Sequence, residues 1–242
     1  QKGFAMNFAI DIGNTQIKFG LFQANELKEI FSGEAAMDVI LSRYKISNAI
    51  ISKTGSNDEV VSKLEQKNIP SIFLSPKVKL PLKIRYNTPD TLGADRIAGS
   101  VAANFLHPNQ NVLKIDFGTC ITYDFISAKN EYTGGAISPG MMMRFKSLHN
   151  YTAKLPLVDP FQFADYELTG NDTTASILSG VMNGIKEEAN GIINEYNFRF
   201  ENLKVVVTGG DAGLFVALLK YEIFARPYLV LEGLNQVLNY NL

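Results

Sequence analysis

Phe8-Ala9-Ile10-Asp11-Ile12-Gly13-Asn14-Thr15, continued by Ile17-Lys18-Phe19-Gly20-Leu21-Phe22, is met a second time in this chain in altered form. The second occurrence is Val112-Leu113-Lys114-Ile115-Asp116-Phe117-Gly118-Thr119, continued by Ile121-Thr122-Tyr123-Asp124-Phe125-Ile126. In both, an apolar run ends in an Asp-x-Gly turn closed by Thr and a second apolar run begins at once, which reads as a β-hairpin with a polar tip. A third strand follows each hairpin, at 27–31 and at 132–137. A duplicated unit of this kind predicts a pseudo-symmetric pair of domains, with the two copies of the special loop facing one another across a cleft.

Between and beyond the repeats, 49–52 and 71–74 read as short buried strands. Residues 57–67 read as a helix capped by Asn57 or Asp58, with Val60, Val61 and Leu64 at apolar helical spacing. Further helices are expected at 97–105, 173–196 and 212–220, and a buried strand at 203–208. The fold class is therefore α/β: two similar halves, each a mixed sheet that opens with a three-strand meander and is flanked by helices. The expected domains are 6–108 and 109–242, each with one loop. Residues 1–5, ahead of Met6, read as an appended remnant outside the fold.

Composition narrows the function classes. With 242 residues, 46% of them hydrophobic and 19% charged, the chain has material for a sizeable core. Its formal net charge is −1 and it has no long Lys/Arg run, so the electrostatic footprint of a nucleic-acid binder is missing. A single cysteine, Cys120, excludes an internal disulfide framework and a cysteine-rich zinc site. The apolar stretches fall far short of the roughly 20 residues that cross a bilayer, and nothing resembles a signal peptide. The expectation is a cytoplasmic protein with small-molecule partners, and neither nucleic acid nor membrane among them.

The loops suggest what those molecules carry. Glycine permits a tight turn and lets backbone N–H groups approach an anion without a Cβ between them, while Asn and Thr add donors. The aspartate repels a phosphate, so its sensible task is to hold a cation that neutralises one. Either loop alone is compatible with an ordinary hairpin turn; the matched pair is what points to a phosphate clamp. Thr208-Gly209-Gly210-Asp211-Ala212 joins a strand to a helix, which places it near a nucleotide, with Asp211 read as the helix cap. No Gly-x-x-x-x-Gly-Lys-Ser/Thr occurs, so a P-loop enzyme is excluded.

Tyr86-Asn87-Thr88-Pro89-Asp90-Thr91-Leu92-Gly93-Ala94-Asp95-Arg96 is a polar loop running into a helix. Arg96 suits a planar carboxylate through its two-pronged donor geometry. Asp95 suits acceptance of a substrate hydroxyl proton, as in phosphoryl transfer. The plainer alternative is a helix-start aspartate beside a surface arginine. His107 and His149 end helical stretches and read as structural or surface residues. Cys120 reads as packed and inert, and the Phe-rich stretch at 161–163 as core or interface.

These residues resemble a known family, the type III pantothenate kinases of bacterial coenzyme A biosynthesis, in the actin-like, sugar-kinase and acetate-kinase superfamily. The matching stretches are 11–15 (Asp-Ile-Gly-Asn-Thr), 92–96 (Leu-Gly-Ala-Asp-Arg), 116–119 (Asp-Phe-Gly-Thr), 134–140 (Gly-Gly-Ala-Ile-Ser-Pro-Gly), 152–156 (Thr-Ala-Lys-Leu-Pro) and Gly209-Gly210. They run in family order from Met6 almost to the last residue.

The resemblance implies actin-like, ribonuclease H-like halves and a transferase that phosphorylates pantothenate with ATP, giving 4′-phosphopantothenate. It implies ATP binding by Asp11, Ile12, Gly13, Asn14, Thr15, Gln16, Ile17 and Lys18, and by Thr119. It implies substrate binding by Tyr86, Gly93, Ala94, Asp95 and Arg96, with Asp95 as catalytic proton acceptor. Thr173 then reaches the substrate from the partner subunit of a homodimer. Asp116, the metal-binding residue, holds a monovalent cation, potassium or ammonium, and Mg²⁺ accompanies ATP. Two departures are visible: Cys120 stands where Ala is usual, and Asp172 where Asn is usual, adding a negative charge beside Thr173. A related phosphotransferase or phosphatase of the superfamily is expected to lack Leu-Gly-Ala-Asp-Arg. An accessory protein that had lost its chemistry need not keep Asp11, Asp95 and Asp116, and all three are present.

Overall fold

The structure, a computed structural model, describes residues 5–53 and 58–242. Residues 1–4 of the expected remnant and Asn57, one of two expected caps, lie outside the described residues. The elements begin with β1 (Met6–Ile12), β2 (Ile17–Gln23), β3 (Glu26–Ser32), α1 (Ala36–Arg43), β4 (Ile46–Lys53) and α2 (Asp58–Gln66). They continue with β5 (Ser71–Phe73), β6 (Lys83–Ile84), α3 (Ala94–Leu106), β7 (Val112–Phe117), β8 (Cys120–Ser127) and β9 (Glu131–Pro139). The last are α4 (Met141–Asn150), α5 (Thr173–Arg199), β10 (Lys204–Thr208), α6 (Ala212–Phe215), β11 (Ile223–Ala225) and α7 (Leu229–Asn241).

The chain forms two compact units that interleave along the sequence. The first runs to Val112 and adds Asp124–Gly134 and Tyr228–Leu242; the second is Leu113–Tyr123 with Gly135–Pro227. The chain thus enters the second unit four residues beyond the expected start at 109, and α7 belongs with the first.

In the first unit the strand order is β3-β2-β1-β4-β5. β1, β2 and β3 pair antiparallel as the expected meander, while β4 lies parallel to β1 and β5 parallel to β4, so the sheet is mixed. Alternation decides which side chains go inward. Phe8, Ile10, Ile12, Ile17, Phe19 and Leu21 join Met37 and Ile40 of α1 and Val60 and Leu64 of α2 in one core. Helix α7 packs against β1 and also against α3. The two helices meet so closely at Gly233 that a Cβ there would overlap the Ala98 carbonyl oxygen. Asn7 of β1 donates to Asn235 and Asn239 of α7, and Asn235 donates to the Ala24 carbonyl at the β2–β3 turn, so the polar groups of this seam are paired.

The second unit repeats that plan. Residues 113–117 of β7, 120–123 of β8 and 135–139 of β9 lie with β10 and β11 in the order β9-β8-β7-β10-β11, which matches β3-β2-β1-β4-β5 strand for strand. Leu113, Ile115, Phe117, Ile121 and Tyr123 pack on Phe145 of α4, on Ile177, Val181 and Ile185 of α5, and on Val205 and Val207 of β10.

The expected helix at 212–220 is shorter. α6 ends at Phe215 and a 3₁₀ turn, Val216–Leu218, completes it. Asn190 of α5 gives the physical reason: its amide donates to the Leu218 carbonyl and accepts from the Lys220 N–H, diverting the backbone groups a longer helix would pair. Helices α1 and α7 have no counterpart in the sequence reading, and α4 (Met141–Asn150) is the helical stretch at whose end the sequence reading places His149. Among the described residues no helix is long and apolar enough to cross a membrane.

Candidate active site

The Asp11 loop lies in the first unit. Ile12 pairs with Ile17, and the Gly13 N–H donates to the Gln16 carbonyl at 3.2 Å, closing a tight tip. Asn14, Thr15 and Gln16 are exposed there, open to a ligand, while Ile12 and Ile17 are buried as its anchors. Asp11 faces Lys18 across β2 and Ser52 across β4.

The substrate segment lies in the same unit. A 3₁₀ turn, Pro89–Thr91, leads into Leu92 and Gly93, and α3 begins at Ala94, which puts Asp95 and Arg96 in its first turn as expected. The helix macrodipole favours an acidic group at this end. One Asp95 carboxylate oxygen accepts the Arg96 N–H at 2.9 Å, and the same oxygen lies 2.5 Å from where a Cβ on Gly93 would stand. A side chain at 93 would displace the Asp95 carboxylate from this position.

Arg96 is not the surface arginine of the plainer alternative. It is 6% exposed, and its guanidinium is held by Asp124 of β8, which is fully buried. Nε lies 2.8 Å and Nη2 2.6 Å from the same Asp124 oxygen. The Tyr132 hydroxyl, on β9, donates to that oxygen at 2.7 Å, and Tyr86 accepts a further bond from the guanidinium. The Tyr86 and Tyr132 rings stand 6.1 Å apart. Burial disfavours the charged guanidinium, but the attraction of Asp124 and its hydrogen bond, with those of the two tyrosines, outweighs it and the Arg96 pKa is raised. Burial, followed by the Asp124 charge and hydrogen bond, pushes the Tyr132 phenol upward as well, so it remains a donor. Breaking a buried pair of this kind by removing one partner costs about 3–5 kcal/mol.

The second unit gathers the other loop. The Gly118 N–H donates to the Cys120 carbonyl at 3.2 Å, leaving Gly118 and Thr119 as a two-residue tip with Thr119 exposed. Asp116 folds its carboxylate over this tip, 3.2 Å from where a Cβ on Gly118 would stand. Two glycines from elsewhere close on it. A Cβ on Gly140 would overlap the Gly118 and Thr119 carbonyl oxygens, and a Cβ on Gly209 would overlap the Phe117 backbone. Gly209 also has a φ of +106°, which side chains rarely adopt. The Asp211 N–H bonds the Phe117 carbonyl at 2.9 Å. Thus the Gly209-Gly210 loop is brought against the Asp116 loop.

Asp211 itself departs from its expected task. It occupies the N-cap position of α6, but its side chain makes no capping hydrogen bond, and burial raises its pKa. Thr173 is the exposed first residue of α5. Asp172 caps that helix by accepting from the Ala175 N–H at 2.8 Å, so its carboxylate has a structural task. His149 bonds the Leu155 carbonyl, and His107 is the C-cap residue of α3. Cys120 is half-buried at the start of β8.

Sequence reasoning missed Asp124, Tyr132 and a further cluster in the second unit. There Glu188 of α5 accepts from Tyr123 at 2.9 Å, Ser138 at 3.1 Å and Arg144 at 2.5 Å, and Arg144 also holds the Pro139 carbonyl at 2.8 Å. This cluster fixes 138–140 beside the Thr119 tip. The signal for Asp124 was present: a lone carboxylate inside the apolar run Tyr123-Asp124-Phe125-Ile126 needs a buried partner.

A family model described as type III pantothenate kinase matches residues 7–195. The chain belongs to the type III pantothenate kinase family. The chain is 45% identical to the type III pantothenate kinase of Christiangramia forsetii, over 98% of this chain and 99% of that protein. It is 42% identical to the one from Phocaeicola vulgatus, again over 98% and 99%. As a type III pantothenate kinase it shares its fold with more distant proteins. The ethanolamine utilization protein EutJ of Carboxydothermus hydrogenoformans superposes with a TM-score of 0.54 at 14% identity, covering 96% of this chain and 89% of that one. Component A of the Acidaminococcus fermentans (R)-2-hydroxyglutaryl-CoA dehydratase does so with 0.54 at 13%, covering 98% of each. These likenesses show a shared fold.

Proposed function

We propose that the chain moves the γ-phosphoryl group of ATP to the primary hydroxyl of pantothenate, with Asp95 as the proton acceptor. The observation that carries the reading is the Asp95 carboxylate, held between Gly93 and the Arg96 amide at the start of α3. The hydroxyl oxygen attacks the γ-phosphorus, its proton passes to Asp95, and the bond to the β-phosphate oxygen breaks to release ADP. Such a transition state is loose, so positioning and charge neutralisation supply most of the acceleration.

Tyr86, Gly93, Ala94 and Arg96 bind pantothenate beside Asp95. A guanidinium has five N–H donors, so the bonds to Asp124 and Tyr86 leave Arg96 capacity for the substrate carboxylate. Asp11, Ile12, Gly13, Asn14, Thr15, Gln16, Ile17 and Lys18 serve ATP, as does Thr119. The folding of Asp116 over Gly118 fits a cation ligand at this tip, and potassium or ammonium is the cation proposed. Among the described residues no three His, Cys, Asp or Glu side chains gather into a metal cage. A divalent ion arriving with ATP would be held largely by phosphate oxygens, as Mg²⁺ commonly is, and would neutralise their charge. The enzyme works in the cytoplasm as a homodimer in which Thr173 reaches the partner's substrate.

The test is ADP release measured with and without pantothenate, in potassium and then in sodium. Pantothenate-dependent release that rises several-fold in potassium supports both parts. Release indifferent to pantothenate defeats the substrate assignment, and equal rates in the two salts defeat the monovalent site.

A further inference from the structure

Asp124 and Tyr132 are charged or polar groups with no solvent exposure, on two strands that the proposed chemistry does not use. A carboxylate is rarely buried in a strand unless its partners compensate, and here they are named: Arg96 through Nε and Nη2, and the Tyr132 hydroxyl. All three converge on one oxygen of Asp124. The backbone of the same arginine supplies the N–H that holds the Asp95 carboxylate. Two consecutive residues of α3 are thus both fixed, Asp95 by local backbone and Arg96 by a group 28 residues away in sequence.

We infer that Asp124, braced by Tyr132, is the positioning residue of this site, fixing the Arg96 guanidinium and through it the turn that presents Asp95. Neither residue touches the reacting atoms. Their contribution is geometric: a guanidinium whose Nε donates to a buried carboxylate oxygen, with Nη2 in ion-pair contact with the same oxygen, cannot rotate freely, and the first turn of α3 cannot drift while its second residue's neighbour is pinned. The small scale of tolerable error makes this matter, because misplacing reacting groups by about 1 Å costs on the order of 100-fold in rate. The inference rests on the proposed assignment of Asp95 and Arg96.

Asp124→Asn keeps the shape and one acceptor and removes the charge, while Tyr132→Phe removes one hydrogen bond and leaves the ion pair. Each should lower kcat/KM for pantothenate, about 30-fold for Asp124→Asn and about 5-fold for Tyr132→Phe, while KM for ATP stays within about 2-fold. In a double-mutant cycle Asp124→Asn should add little to Arg96→Ala, because the first acts through the second. If Asp124→Asn does not fold, Tyr132→Phe decides by the same readouts. Wild-type kcat and KM for pantothenate in folded Tyr132→Phe and Asp124→Asn, with only the melting temperature lowered, would overturn the inference in favour of a purely structural pair. Equal losses toward ATP and pantothenate, or full additivity with Arg96→Ala, would overturn it too. Should Asp95→Asn and Arg96→Ala both keep wild-type kinetics, it is the underlying assignment that fails, a result distinguishable from the others.

Discussion

The space around Asp95 is set by what its neighbours lack. Gly93→Ala introduces a Cβ 2.5 Å from the Asp95 carboxylate oxygen, so either the carboxylate or the turn must move. Because α3 is anchored from Arg96 onward, the carboxylate is the softer partner, and kcat should fall by about 100-fold with a smaller change in melting temperature. Steady-state kinetics beside thermal melts checks this. Asp95→Asn, which keeps the shape and removes the base, should lower kcat by about 100- to 10,000-fold and leave KM for pantothenate little changed; near-wild-type turnover would remove Asp95 from its assigned place. Asp211 makes a prediction in pH. Burial raises its folded-state pKa above the unfolded value, so the native state binds the extra proton. The stabilisation that proton brings is fully present below the unfolded pKa and is lost as pH rises through the folded pKa. Asp211→Asn should therefore melt higher than wild type at neutral pH and lose that advantage in acid, which melting curves across pH will show or refute.

Elements translate such constraints into packing. Helices α3 and α7 approach at Gly233, where Gly233→Ala would force a methyl into the Ala98 carbonyl. Helix propensity favours alanine by about 1 kcal/mol, yet the overlap is with backbone, which yields poorly, and overpacking costs about 1–3 kcal/mol. The net expectation is a lower denaturation midpoint, and an unchanged or higher one would show that the helices separate at no cost. The meanders were legible in the sequence because alternation and a polar tip repeat at matched places, and α5 because its apolar spacing is sustained over 27 residues. Helix α7 was not legible, since its partners are Asn7 and Ala98, far away in sequence, and its glycine reads locally as a helix breaker. The same distance hid Asp124: motif reading finds residues that a ligand touches, whereas a buried partner 28 residues from Arg96 announces itself only by its misplaced charge.

At the scale of the whole molecule, one assigned residue is proposed to act across subunits. Thr173 is exposed at the start of α5, and Asp172 beside it is committed to capping. If Thr173 reaches a partner subunit's substrate, then two crippled variants should repair one another. In a homodimer built of Asp95→Asn and Thr173→Ala subunits, one site combines an intact Asp95 with an intact Thr173 and the other carries both defects. Random exchange of equal amounts makes half of the dimers mixed, so the pool should recover about a quarter of wild-type activity, although neither variant alone shows it. A threonine acting within its own subunit gives no such recovery, because every site then retains one defect. Subunit exchange must be verified by light scattering and by the time course of recovery. A monomer by scattering ends the homodimer proposal, and a dimer that exchanges without regaining activity keeps the dimer and removes Thr173 from the partner's site.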